Sequence, residues 1–121
     1  METDILRGSC LCGAVQFELT APPSELLHCH CRMCRKAHGA SYATFARFDH
    51  ADFHVLEGAD RIATYRSSET VRRTFCSVCG SSLQFVRDGK ATFGLAASTL
   101  DTPLARLPVR QYHTESRVDW L

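Results

Sequence analysis

The chain has 121 residues, a formal net charge of +1 and seven cysteines, which fits one domain over 1–121 whose modest core would be helped by bound metal. Lys and Arg are dispersed, with no basic block longer than Arg72-Arg73, so composition argues against general nucleic-acid binding. No apolar run approaches the roughly 20 residues that span a bilayer, and Met1 to Gly8 carries Glu2 and Asp4 instead of a signal-peptide core. The expected location is the cytoplasm, without membrane association.

The chain reads as a run of short strands without linker, repeat or low-complexity stretch. Gly13 to Thr20 alternates, with Val15, Phe17 and Leu19 on one face and Gln16 and Glu18 on the other, the period of a half-buried strand. Pro22-Pro23 interrupts it. Ser24 to His30 predicts a second strand leading into the central cysteines. Cys31 to His38 lacks alternation and predicts a short helical or irregular turn. Ser41 to Phe48 and Asp52 to Glu57 are strand-like, Gly58 marks a turn, and Arg61 to Arg66 and Thr70 to Cys76 follow. Ser81 to Arg87 and Lys90 to Ala97 flank Asp88-Gly89, a hairpin signal because both residues tolerate positive φ. Asp101 to Pro108 predicts a loop or short helix, and the tail from Val109 to Leu121 an edge strand. The fold class is mainly β, with strand order left open.

An odd number of cysteines cannot pair fully as disulfides, and clustered cysteines in a reducing compartment point to metal or catalysis. Cys10/Cys12 and Cys29/Cys31, one residue apart, would also be awkward disulfide partners. The groups are Cys10-x-Cys12-Gly13, Cys29-x-Cys31-x-x-Cys34 and Cys76-x-x-Cys79-Gly80. Short spacing lets two thiolates from one tight turn hold one ion at about 2.3 Å, and a glycine after the second cysteine permits that turn. The two glycine-flanked pairs, Cys10, Cys12, Cys76 and Cys79, therefore predict a closed four-thiolate structural zinc site, with a redox pair as the alternative for Cys76-x-x-Cys79. Seven thiolates and two Zn²⁺ ions would take the formal charge from +1 to about −2.

Cys29, Cys31 and Cys34 remain for a second ion. Three protein ligands with an exchangeable fourth position are the pattern of catalytic zinc; alternatively His28, His30 or His38 closes the site. His28 and His30 would face away from Cys29 and Cys31 on a strand, whereas His38 shares the face of Cys34 if that segment is helical. Three thiolates make zinc a weak Lewis acid and a good acceptor of a soft sulfur ligand, which favours carbon–sulfur bond chemistry over hydrolysis.

Gly8-Ser-Cys-Leu-Cys-Gly-Ala-Val, His28-Cys-His-Cys-Arg-Met-Cys-Arg-Lys and Phe75-Cys-Ser-Val-Cys-Gly-Ser-Ser-Leu together resemble the glutathione-dependent formaldehyde-activating enzyme family, which includes centromere protein V. The resemblance runs from Gly8 to Trp120. It implies an Mss4-like β fold, a structural zinc on the outer cysteine groups and a catalytic zinc on Cys29, Cys31 and Cys34. The implied activity is addition of glutathione to formaldehyde giving S-hydroxymethylglutathione, formally a carbon–sulfur lyase run in reverse. A non-catalytic zinc-binding interaction module of the same fold is the alternative, and a redox or metal sensor a third reading.

Glutathione carries two carboxylates, so Arg32, Arg35 and Lys36 beside the second zinc are candidate partners, each also readable as a solvated offset to thiolate charge. Of Arg72 and Arg73, on opposite strand faces, at most one meets a given pocket. His38 and Tyr42 are candidate proton carriers, or ordinary structural residues. Phe45, Phe48, Phe53, Phe75, Phe85 and Phe93 are predicted core, and Trp120 an anchor for the tail.

Overall fold

A computed structural model describes residues 5–121; the reading of the extreme N-terminus falls partly on residues 1–4, outside the described residues. Two sheets form the body. The smaller joins β1 (Leu6–Ser9), β2 (Gln16–Leu19) and β5 (Phe53–Glu57) in the order β1-β2-β5, all antiparallel. The larger has seven strands: β3 (Glu25–Cys29), β4 (Ala43–Asp49), β6 (Ile62–Arg66), β7 (Val71–Cys76), β8 (Ser82–Arg87), β9 (Thr92–Ala96) and β10 (Val109–Tyr112), ordered β10-β3-β4-β9-β8-β7-β6. One helix, α1 (Arg32–His38), follows β3. The mainly β expectation holds. Strands are shorter than their patterns at several ends, and β1 had no sequence signal.

Period-two alternation decides which side chains enter the core. In the first predicted strand Val15, Phe17 and Leu19 are buried to 0–1 % exposure while Gln16 is exposed. They meet Leu6, Ala46, Phe48, Leu83, Val86, Phe93 and Leu95 to form the main core between the sheets. The larger sheet buries its other face too. Leu27, Cys29, Ala43 and Phe45 pack there with Cys34 of α1. Hence β4 reads as an almost continuous apolar run: Ala46 and Phe48 face one core, Ala43 and Phe45 the other. Phe45, Phe48 and Phe93 are buried as predicted, whereas Phe53, Phe75 and Phe85 are only part-buried.

The tail supplies the predicted edge strand. Strand β10 pairs in parallel with β3, Tyr112 opposite Cys29. Its Tyr112 hydroxyl donates to Glu25 Oε1 at 3.2 Å, and Glu25 also pairs with Arg47 and Arg110. The end of the chain corrects an expectation: Trp120 is 75 % exposed and does not anchor the tail in a core. Val118 is the tail residue that is buried.

Candidate metal centres and active site

The turn between β1 and β2 presents Cys10 and Cys12; the end of β7 and the turn after it present Cys76 and Cys79. One sulfur from each lies within 4.8 Å of the others. A tetrahedral zinc with bonds of about 2.3 Å separates its sulfurs by about 3.8 Å; Cys10 and Cys12 Sγ are 3.7 Å apart, and Cys12 and Cys76 Sγ 3.9 Å. The four thiols thus fit one ion. Gly13 and Gly80 adopt φ of +80° and +82°, the left-handed backbone that the two tight turns require. Backbone amides supply outer support: Val15 donates to Cys10 Sγ at 3.3 Å and Val78 to Cys76 Sγ at 3.4 Å. Hydrogen bonds from Ser81 hold the Cys79 thiol down at about 5.

Cys29, Cys31 and Cys34 form a second cluster, again with all sulfurs within 4.8 Å. Cys29 ends β3, Cys31 caps α1, and Cys34 sits in its first turn. The helix arises because Cys31 Sγ accepts from the Cys34 amide at 3.3 Å and Gly39 closes the other end in a left-handed conformation. This cap folds the third sulfur back toward the first two. Hydrogen bonding with Cys34 draws the Cys29 thiol down to about 5, while the same contact and burial push Cys34 up. Both terminal nitrogens of Arg73 approach Cys34 Sγ, at 3.7 and 3.6 Å. Of the arginine pair on β7, Arg73 is therefore the one that faces the cysteines.

No histidine or carboxylate among the described residues joins this trio. His28 lies between Leu27 and Cys29 on β3 and turns to the opposite side, as alternation requires, while His30 follows just beyond the strand. His30 Nε2 lies 2.7 Å from Gln111 Oε1, Gln111 Nε2 donates to His28 Nδ1 at 3.0 Å, and the Tyr42 ring packs 4.0 Å from that of His28. His38 lines a cavity of about 300 Å³ with Arg73, Thr74 and Gln84. Its ring packs edge-on against Phe45, and burial with the charge of Arg73 lowers it to about 4. Tyr42 and His38, the predicted proton carriers, therefore do not line the cavity that meets the cysteines.

That cavity, about 470 Å³, has Cys29 and Cys34 in its wall, with Phe45, Phe85 and Tyr112 beside them and Arg47, Arg87, Lys90 and His113 around it. Arg32, Arg35 and Lys36 instead border a separate depression with Ser41 and Trp120. This corrects their predicted role beside the second zinc: neither Cys29 nor Cys34 lines that depression, so these three cations border a different surface from the cavity that contains the two sulfurs. Nor are the cavity cations equivalent. Arg47 is paired with Glu25 at 3.0 Å. Among the described residues Arg87 and Lys90, on the β8–β9 hairpin, form no ion pair; Arg87 donates to Thr70 Oγ1 and lies over Phe85. Sequence reasoning did not single out these two, because a hairpin signal does not say what lies across from it, nor His113, which follows β10 in the tail.

Fold and site define a small β-rich domain with two cysteine clusters, each able to hold a metal ion, one of them opening on a basic cavity. Residues 5–116 match the family described as glutathione-dependent formaldehyde-activating enzyme. A Halomonas elongata protein provisionally named as such an enzyme is 36 % identical over 127 aligned residues, covering 97 % of this chain and 80 % of that protein. A Schizosaccharomyces pombe protein named as an uncharacterized lyase is 29 % identical over 79 residues, 65 % of this chain and 56 % of its own length. A crystal structure of a Rhodobacter sphaeroides protein matches with a TM-score of 0.69 at 27 % identity, covering 87 % of this chain and 98 % of that one. The chain belongs to the glutathione-dependent formaldehyde-activating enzyme family. No helix among the described residues is long and apolar enough to cross a membrane.

Proposed function

We propose that this chain is a zinc-dependent carbon–sulfur lyase that joins glutathione to formaldehyde as S-hydroxymethylglutathione, or releases them, at Cys29, Cys31 and Cys34. The observation that carries this reading is the cysteine trio opening on a cavity with unpaired cations. Zinc on the trio would accept a thiol as its thiolate, the form that attacks carbon. Cys10, Cys12, Cys76 and Cys79 would hold a second, structural zinc, because four thiolates leave no vacant position.

The chain's own residues supply selection. Arg87 and Lys90 offer charge-assisted contacts to the carboxylates of glutathione. Phe45 and Phe85 give the cavity apolar walls beside the sulfurs, which limits water near the reacting thiol. Arg73, against Cys34, offsets the negative charge of three thiolates.

Exchange NMR on glutathione, formaldehyde and their adduct at equilibrium, with catalytic amounts of zinc-loaded protein, tests the reading. Faster exchange with wild type and none above background with Cys31→Ser is the expected result. Unchanged exchange with wild type sinks the formaldehyde assignment and favours a zinc-binding interaction module; unaltered turnover in Cys31→Ser removes the trio as its site.

A further inference from the structure

We propose that His113 is the proton carrier of this site, a catalytic role set by its place in the cysteine cavity, its backbone and its carboxylate partner. This inference rests on the thiol–aldehyde reading above. Three observations converge on the residue. It lines the cavity whose wall contains Cys29 and Cys34. It adopts φ of +57°, the only positive φ at a non-glycine position among the described residues. Its Nδ1 faces Glu115 Oε2 at 3.5 Å.

A left-handed backbone is disfavoured for a residue with a β-carbon, and such residues persist where surrounding structure demands them. Here the demand is visible. The His30 amide donates to the Tyr112 carbonyl at 3.0 Å, which fixes β10 up to the residue before His113. The chain then turns at once into a short 3-10 turn, Thr114–Ser116, with the Ser116 amide donating to the His113 carbonyl at 3.0 Å. An extended His113 would carry the chain straight on along β3; the left-handed turn instead brings Glu115 back beside the imidazole. Nδ1 is the nitrogen beside Glu115, on a side chain more than half exposed at the cavity rim, and Nε2 has no hydrogen-bond partner among the described residues. Imidazole with a carboxylate beside one nitrogen and the other nitrogen open is a recurring arrangement for moving protons.

The proposed reaction needs such a group. A thiol and formaldehyde combine by forming one S–C bond and breaking the carbonyl π bond. The sulfur gives up a proton and the former carbonyl oxygen gains one, so the exchange is balanced without oxidant or reductant. His113 Nε2 takes the thiol proton as the sulfur is held beside Cys29 and Cys34, then donates it to the oxygen. In the reverse direction it removes the hydroxyl proton and returns it to sulfur. The neighbouring Tyr112 is engaged elsewhere, its hydroxyl donating to Glu25.

The test uses zinc-loaded wild type and His113→Ala in three measurements: exchange among glutathione, formaldehyde and adduct; glutathione affinity by calorimetry without formaldehyde; and exchange with added imidazole. The expected result is an exchange acceleration about 100-fold lower or more, unchanged glutathione affinity, and partial recovery with imidazole. Wild-type acceleration in His113→Ala overturns the proposal. So does loss of glutathione affinity together with exchange and no imidazole rescue, which would give His113 a structural role. If wild type itself fails to accelerate exchange, the thiol–aldehyde reading fails and takes His113's role with it; the other two failures leave that reading standing.

Discussion

Arg73 directs both terminal guanidinium nitrogens at Cys34 Sγ, at 3.7 and 3.6 Å, from a strand 39 residues further along the chain. Its Nε donates to Ser67 Oγ at 3.1 Å and its Cζ lies 5.0 Å from the centre of the Phe85 ring. The cation is thus fixed by a hydroxyl and an aromatic face, with its terminal nitrogens directed at the Cys34 sulfur. Arg73→Gln removes the charge and leaves a polar side chain. We expect zinc at the trio to be held about 10-fold more weakly, the lower end of outer-shell effects on metal affinity, with zinc at the other cluster unchanged. Competition with a graded series of chelators reads the two sites separately; equal affinity at the trio in both proteins would leave Arg73 without a role there.

The two clusters differ in what they hold together. Cys10, Cys12, Cys76 and Cys79 join the β1–β2 turn to the β7–β8 turn, and Cys10 and Cys76 belong to the main core. Cys31 is at the start of one short helix. Because metal-binding energy becomes folding energy when the ligands come from distant segments, Cys76→Ser should lower the thermal midpoint much more than Cys31→Ser. Thermal unfolding of the two variants side by side decides this. A larger loss in Cys31→Ser would exchange the structural and catalytic assignments.

The β8–β9 hairpin should set thiol preference. Each charge-assisted hydrogen bond contributes about 1.5–3 kcal/mol, so Arg87→Gln and Lys90→Gln should each raise KM for glutathione about 10-fold or more. Lys36→Gln, on the separate depression with Trp120, should leave KM as it is. Steady-state kinetics on the three variants discriminates the two basic groups, and the opposite ranking would return carboxylate binding to α1.

Acid should weaken the fold through His38. Burial and then the charge of Arg73 depress this imidazole from its ordinary value near 6.5 to about 4. Between those values the unfolded chain binds a proton that the folded chain does not. The contribution is therefore complete above about pH 6.5 and is lost as pH falls toward about 4. His38→Gln should flatten the decline in urea midpoint across that window relative to wild type. Equal slopes would mean that His38 protonates as readily in the folded protein as in the unfolded chain.

Much of the site is legible in the chain because it is made locally. Cysteines two and three residues apart must lie in one turn, and Gly13 and Gly80 mark the two turns that need left-handed backbone. The Val15, Phe17, Leu19 alternation likewise fixes a buried face without knowledge of its partner. Strand β1 escapes notice because Arg7 and Gly8 interrupt any apolar pattern. Gly8 is small for a tertiary reason: a β-carbon there would collide with the Phe17 ring.

By itself, then, the sequence determined a β-rich chain, the two cysteine groupings and the resemblance that unites them, since spacing and period act over a few residues. Which cations share a cavity with Cys29 and Cys34 was decided only by tertiary structure. The order β10-β3-β4-β9-β8-β7-β6 brings β3, the β8–β9 hairpin and the tail around one cavity. Arg32, Arg35 and Lys36, close to Cys34 in sequence, border a separate depression. Arg87, Lys90 and His113 arrive from strands and a tail far along the chain, because sheet order, set by burial of both faces, overrides proximity in sequence.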